Sequence, residues 1–263
     1  MIKAPQSIST ETTDALNALI AASDRLRDWN SAEIQSLVHA TERLQRIDAR
    51  EAFVRRGFIA AICGELDRMD EYFRKAMLLP NEIPTKHEFH AALGNAGLYG
   101  RAHQLGGWLL DPKRGFFPSI WERAISMGQI LAVSARIPDA KKTFPELSDS
   151  DFGQVERAAA VMQERGLTDE DIASVFDRMG EVQRAHRIMF HGQLISALRV
   201  MTPPEDPPYL YFSISLDTSV TEIHQMNREL TAAIVERLPQ GAFPQGIVAS
   251  FSKAHRAELQ AAA

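Results

Sequence analysis

The sequence predicts a mostly α-helical α+β protein, in which an N-terminal array of antiparallel helix pairs precedes a small C-terminal α/β domain with a three-stranded mixed sheet. A helical spacing of apolar residues recurs along the first part of the chain. An alternation of polar and apolar residues in Tyr209–Leu216 is typical of a half-buried strand. We therefore expect the array in residues 1–140, and in residues 141–263 an α+β domain of two helices, a β-hairpin, a helix and a strand.

A five-position pattern occurs three times, in sets that begin at Ile34, Met69 and Ala102. Its positions realign on one face of an α-helix, and the sets follow one another at about the 34-residue period of stacked helix pairs. The sets are Ile34, Leu37, Val38, Thr41 and Leu44; Met69, Tyr72, Phe73, Ala76 and Leu79; and Ala102, Leu105, Gly106, Leu109 and Pro112. Stacks of this kind commonly present an extended surface to another protein.

The starts and ends of the helices can be placed between these sets. Asn30 and Asp48 each precede a glutamate by three residues, as in a capping box, so a helix is expected to begin after each of them. Gly64, Pro80 and Gly97 end helices or begin turns. We expect helices over residues 12–29, after residue 30, and over residues 48–63, 67–79, 85–96 and 99–110.

The later part of the chain begins with a helix that has Pro118 in its first turn, where a missing N–H costs little. Two prolines and several charges in residues 137–149 then predict a linker at the domain boundary. Helices are expected over residues 152–164 and from residue 169, the latter capped by Thr168 with Asp171, and over residues 220–238. Strands are expected over residues 193–201, 209–216 and 246–251. The last two strands should be parallel, because a helix connects them.

Residues 52–80 carry small, aromatic and terminating residues at Gly57, Ala60, Phe73, Ala76 and Pro80. Residues 89–112 repeat this arrangement more loosely, with Gly97, Tyr99 and Ala102 in register. The arrangement resembles the tetratricopeptide repeat family, and residues 12–44 fit it by spacing. The resemblance, over about residues 12–112, implies helix-turn-helix units with a peptide-binding groove. An irregular helical bundle is the alternative.

Composition and charge limit the possible functions. The chain has 263 residues, of which 45% are hydrophobic, and a net charge of −5, which argues against nonspecific nucleic-acid binding. Cys63 is the only cysteine, so an intrachain disulfide and a cysteine-based zinc site are excluded, and its apolar surroundings predict a buried, inert thiol. The polar start and the absence of a run of about 20 apolar residues lead us to expect a cytoplasmic protein that does not bind membranes.

If the groove exists, residues near its packing positions are the candidate contacts with a partner. These are Arg55, Phe58, His87, Glu88 and Asn95. An aromatic residue beside an arginine is a plausible anchor for a partner. A position for Phe58 in the core is an equal alternative.

The sequence shows no constellation of catalytic or metal-binding residues. His87, His90 and His103 have a spacing from which zinc could be bound, but no fourth ligand is evident. The sequence holds neither a nucleophile elbow nor a phosphate-binding loop, and it shows no nucleophile with a base and an orienting group. We therefore expect no catalytic residue, no metal and no cofactor.

These observations favour a noncatalytic protein-binding module of the adaptor, chaperone, or toxin-neutralising immunity or antitoxin type. Its partner would be another protein, and a basic one by charge complementarity. The alternative is an enzyme or a small-ligand-binding protein with a site between the array and the sheet, near Asp217 and Ser219 at the strand ends. Helix capping explains those two residues equally well.

Overall fold

The computed structural model of the protein describes residues 5–22, 25–115, 117–189, 197–237 and 246–254. These residues are mostly helical, with a small three-stranded mixed sheet near the C-terminal end, and the predicted fold class is confirmed. None of the described helices is long and apolar enough to cross a bilayer. The elements are α1 (Pro5–Ala22), α2 (Ala32–Gln45), α3 (Ala49–Cys63), α4 (Leu66–Met77), α5 (Glu82–Asn95), α6 (Tyr99–Leu109), α7 (Phe117–Ser126), α8 (Ile130–Ser134), α9 (Ile137–Thr143), α10 (Asp149–Arg165), α11 (Asp169–Ala185), β1 (Ala197–Met201), β2 (Tyr209–Leu216), α12 (Val220–Arg237) and β3 (Ile247–Lys253).

The chain divides into two compact units, and their boundaries differ from the domain boundary that the sequence predicts at residue 140. The first unit comprises Met1–Ala96 and Arg184–His191, and the second comprises Gly97–Gln183 and Gly192–Ala263. The boundary after Ala96 separates α5 from α6, which the sequence had suggested as a pair.

The linker expected in residues 137–149 is not observed, because this segment contains α9 and the start of α10. Pro138 stands in the first turn of α9, where its missing N–H breaks no helical hydrogen bond. Ile137 and Ala140 are buried, so the helix packs in the second unit. The prolines and charges of this segment are typical of a linker. Only two apolar positions indicate a buried helix, so the sequence predicts a linker here.

The first unit has an aromatic centre in which α3, α4 and α5 meet. Phe73 on α4 is fully buried as predicted, and its ring centroid lies 5.7 Å from that of Phe58 on α3 and 4.8 Å from that of Phe89 on α5. Gly57 permits this approach, because a Cβ atom there would lie 2.5 Å from Cε2 of Phe73. The close packing of α3 on α4 therefore depends on a residue without a side chain at position 57.

A second part of the same unit's core is formed by α1, α2 and α3. It contains Leu16, Leu19, Ile34, Leu37, Ile59, Ile62, Cys63 and Met189. Met189 belongs to the segment that follows α11, and this segment is fixed to the unit by a hydrogen bond from Leu26 N to Arg187 O at 2.8 Å. A late part of the chain thus completes the core of the first unit.

The observed helix caps confirm one of the predicted helix starts and correct another. Asp48 caps α3, because its Oδ1 accepts from Glu51 N at 2.9 Å. The cap of α2 is Ser31 and not Asn30, since the Ser31 hydroxyl accepts from Ile34 N. The first helix also differs from the expected residues 12–29, because α1 begins at Pro5 and ends at Ala22.

The sheet of the second unit has the order β1-β2-β3, with β1 antiparallel and β3 parallel to β2. The predicted parallel crossover through α12 is therefore confirmed, whereas residues 193–196 of the first predicted strand lie outside the described residues. Phe212 of β2 is fully buried, and its ring meets Phe176 of α11 at 4.7 Å, edge to face. The Asn227 side chain of α12 bonds to both the N–H and the carbonyl of Phe251 in β3.

Candidate functional site

Two of the residues suggested as partner contacts join one ion-pair network in the first unit. Arg55 on α3 pairs with Glu51, and Glu88 on α5 pairs with Arg50 at 3.0 Å. Arg50 also contacts Glu51 at 3.1 Å, which links the four side chains. Burial raises the pKa of Glu88, and the charge of Arg50 opposes that rise. The charges in this network are therefore matched within the chain.

The other three suggested contacts, Phe58, His87 and Asn95, are partly buried. Phe58 packs edge to face against Phe73 and borders the apolar core of the first unit. His87 and Asn95 lie on α5, and Asn95 is its last residue. Phe58 thus takes the core position that the sequence left open as an alternative.

The three histidines with possible metal-binding spacing are divided between the units. His87 and His90 belong to the first unit, where His90 is fully buried, and His103 belongs to the second. In the part of the chain that the structure describes, no group of three or more His, Cys, Asp or Glu residues could hold a metal ion.

The second unit contains a cleft of about 910 Å³ between α6, the start of α8 and the first part of α11, which we call the α6–α11 cleft. Its residues on α6 and on α11 recur at helical spacing, so each set is one face of its helix. The cleft is lined by Gly100, His103, Gln104 and Gly107 of α6; Gln129, Leu131 and Ala132 around the start of α8; and Thr168, Asp169, Glu170, Ala173, Ser174, Asp177 and Arg178 of α11 and its cap.

Two aspartates of α11 hold the N-terminal ends of the other two helices. The Asp169 carboxylate accepts hydrogen bonds from the backbone N–H groups of Leu131 and Ala132, both at 2.8 Å. The Asp177 carboxylate accepts one from the N–H of Gly100, also at 2.8 Å. The first turn of a helix leaves such N–H groups without partners in the helix, and these carboxylates satisfy them.

The carboxyl group of Asp169 is poorly hydrated. The residue is 7% exposed, and this burial raises the pKa of its carboxyl above the ordinary aspartate value. The two backbone hydrogen bonds and His103 act in the opposite direction, and the negative charge of Glu170 adds to the rise. A positive charge close to Asp169 would therefore stabilise its ionised form.

The wall of the cleft also holds two buried polar atoms with no hydrogen-bond partner in the described residues. One is a nitrogen, His103 Nδ1, and the other is an oxygen, Gln129 Oε1. Gln129 is 1% exposed, and its Nε2 donates to the carbonyl oxygen of His103 at 3.0 Å. Gly106 makes room for this amide, because a Cβ atom there would lie 2.8 Å from Gln129 Cδ and still closer to Oε1. A buried polar atom without a partner costs about 1–3 kcal/mol.

The charged residues of the cleft are mainly acidic. Asp169, Glu170 and Asp177 contribute three carboxylates, and Arg178 contributes one guanidinium group. Arg178 pairs with Glu181 at 2.5 Å, so its charge is matched. Glu170 is 78% exposed at its side chain, and its Oε1 lies 3.6 Å from His103 Nε2. The cleft therefore presents a negative wall that is rich in hydrogen-bond acceptors.

The sequence does not predict this cleft. By spacing, His103 is a candidate metal ligand, and Thr168 is a predicted helix cap. The cap is observed, because the Thr168 hydroxyl accepts from Asp171 N at 3.2 Å and donates to the Asp171 carboxylate at 2.8 Å. The available signal in the sequence is the polar pair His103 and Gln104 on α6.

The alternative site near the end of β2 contains a helix cap. Ser219 Oγ accepts a hydrogen bond from Glu222 N at 3.1 Å, and Thr218 donates to the Glu222 carboxylate. These contacts are those of the first turn of α12. The capping interpretation of this segment is therefore confirmed.

No protein-family model, curated protein or solved structure matches the chain. The candidate site is consequently defined by its geometry and charge.

Proposed function

We propose that the protein is a noncatalytic, cytoplasmic binding module for a second protein, of the adaptor, chaperone, or immunity or antitoxin type, with tetratricopeptide-like helix pairs. The observation that carries the proposal is the α6–α11 cleft, whose wall combines three carboxylates with two buried polar atoms that have no hydrogen-bond partner in the described residues. This wall favours a basic partner, because opposite charges accelerate encounter and disfavour acidic competitors. The net charge of −5 acts in the same direction.

The structural roles of Asp169 and Asp177 support binding rather than catalysis. The carboxylates of Asp169 and Asp177 accept backbone hydrogen bonds at the starts of α8 and α6. These hydrogen bonds fix the two carboxylates as parts of the scaffold, and their remaining lone pairs can accept hydrogen bonds from a bound cation. The Thr168 hydroxyl is likewise part of a helix cap, since it donates to Asp171.

The residues suggested in the first unit remain in the proposal as a second contact region. Arg55, His87, Glu88 and Asn95 would touch the partner, and Phe58 would support them from the core. Because Arg55 and Glu88 are already ion-paired, we expect this region to contribute less to affinity than the cleft.

The test is affinity purification of the tagged full-length protein from its native host, followed by quantitative mass spectrometry. We expect one stoichiometric basic protein, and we expect Glu170→Lys to reduce its recovery by about tenfold or more, because the substitution reverses a charge at the cleft. Glu164→Lys is the matched control, since Glu164 is an exposed glutamate of the same unit outside the cleft.

The proposal fails if the wild-type protein captures no stoichiometric partner. It also fails if recovery of the partner is equal for both glutamate variants, because the cleft would then not be the contact.

A further inference from the structure

We infer that the α6–α11 cleft is a binding site for a guanidinium group, presented by an arginine side chain of the partner. This inference rests on the proposed function, because it names the chemical group that the cleft would receive. Three features of the cleft support it. These are the hydrogen-bonding groups of the wall, the charge of the wall, and the two aspartates that already accept the N–H groups at the starts of the bordering helices.

One unpartnered buried atom of the wall, Gln129 Oε1, is a hydrogen-bond acceptor. Gln129 Nε2 donates to the His103 carbonyl, which fixes the side-chain amide so that Oε1 is the free atom. The Glu170 carboxylate lies 3.6 Å from His103 Nε2, and a neutral His103 with its proton on Nε2 would present Nδ1 as a second acceptor. A ligand that supplies N–H donors would recover the cost of leaving these atoms unpaired.

The charges of the wall select a cation. Asp169, Glu170 and Asp177 lie on one face of α11, and the guanidinium of Arg178 is already paired with Glu181. An anion would meet three carboxylates. It would also find the N-terminal ends of α6 and α8 occupied, because Asp177 and Asp169 already accept the N–H groups to which an anion would bind.

The shape of the cleft favours guanidinium over ammonium. The acceptors lie on two walls, one from α6 and the start of α8 and the other from α11. A guanidinium group has five N–H donors in a plane and is more weakly hydrated than an ammonium group, so it can bond to both walls and loses less on leaving water. A volume of about 910 Å³ exceeds what one such group fills, and it leaves room for the flanking peptide.

The inference is tested by calorimetric titration of the full-length protein at low ionic strength with N-acetyl-arginine amide. The matched probe is N-acetyl-citrulline amide, which has nearly the same shape but no charge and fewer donors. A third probe, N-acetyl-lysine amide, has an ammonium group in place of the guanidinium. We expect a dissociation constant in the range of about 1 mM or below for the arginine probe, and binding at least about tenfold weaker for the citrulline and lysine probes. Glu170→Gln should weaken arginine binding by about threefold to tenfold, and Glu164→Gln should leave it unchanged. The side chain of Glu170 is mostly exposed, so this variant is expected to fold.

Equal binding of arginine and citrulline probes would overturn the inference, and so would arginine binding that Glu170→Gln leaves unchanged. Equal binding of lysine would overturn the preference for guanidinium. The probe titration requires no partner protein, so its failure is separable from failure of the proposed function. A protein partner captured through the cleft without probe binding refutes the guanidinium site alone, and probe binding without any partner refutes the protein-binding function alone.

Discussion

Two adjacent glycines on α6 provide a matched test of how the cleft wall is built. A Cβ atom at Gly106 would lie 2.8 Å from both Cδ and Nε2 of Gln129, closer than packed atoms approach. A Cβ atom at Gly107 would meet no atom within 4 Å. Gly106→Ala should therefore expel the Gln129 amide from its place against α6, whereas Gly107→Ala should be accommodated.

The expected difference can be worked out from three contributions. Alanine in place of glycine within a helix gains about 0.5–1 kcal/mol, which applies to both variants. Overpacking at Gly106 costs about 1–3 kcal/mol, and loss of the Gln129 hydrogen bond to His103 costs about 0.5–1.5 kcal/mol. We expect Gly107→Ala to raise the free energy of unfolding by about 0.5–1 kcal/mol and Gly106→Ala to lower it by about 0.5–4 kcal/mol.

The assay is denaturant unfolding followed by tryptophan fluorescence. Trp29 is replaced by phenylalanine in every variant, so that Trp108 and Trp121 report on the second unit. The double variant Gly106→Ala with Gln129→Ser should recover part of the loss, because the clashing amide is gone. Equal stability of the two alanine variants, or no recovery in the double variant, would refute the assigned packing.

Three further outcomes are expected. Phe73→Ala removes a fully buried ring and should lower the free energy of unfolding by about 3–5 kcal/mol in denaturant melts, whereas Leu78→Ala, at a 77% exposed position, should change it by less than about 0.5 kcal/mol; equal losses would contradict the core assignment. Burial raises the pKa of Cys63 to about 12, so iodoacetamide at pH 8 should label the native protein far more slowly than the denatured one, and rapid native labelling would contradict this. Burial also raises the pKa of Asp169, so the folded state takes up a proton on this carboxyl at a higher pH than the unfolded state does. The free energy of unfolding of the wild type, relative to that of Asp169→Asn, should therefore fall as pH rises from the ordinary aspartate pKa through the raised pKa. A difference between the two proteins that is flat or rises with pH would contradict this.

The sequence predicted elements whose signal is local. The spacing around Phe73, the Asp48 cap and the alternation in Tyr209–Leu216 each depend on residues within one or two turns or along one strand, and the structure has all three. The Pro138 segment was misinterpreted because proline in a first turn and proline in a linker look alike in sequence.

The candidate site was beyond this kind of inference because its contacts are distant in sequence. Asp169 meets the backbone of Leu131, and Asp177 meets that of Gly100, across long stretches of chain. Each of these aspartates has the pattern of an ordinary polar residue on α11. Only the packing of α6, α8 and α11 identifies them as walls of one cleft.

The central claim is that the α6–α11 cleft receives a guanidinium group beside His103, and nuclear magnetic resonance tests it most directly. The protein has eight histidines, and uniform ¹⁵N labelling of their imidazole rings reports the state of each nitrogen. His103→Gln assigns the signal of His103. On titration with N-acetyl-arginine amide, we predict a saturable shift of the His103 Nδ1 resonance as this acceptor gains a donor, with the other seven histidines essentially unchanged. Saturation of the probe without a shift at His103, or with the main shift at another histidine, would contradict the account.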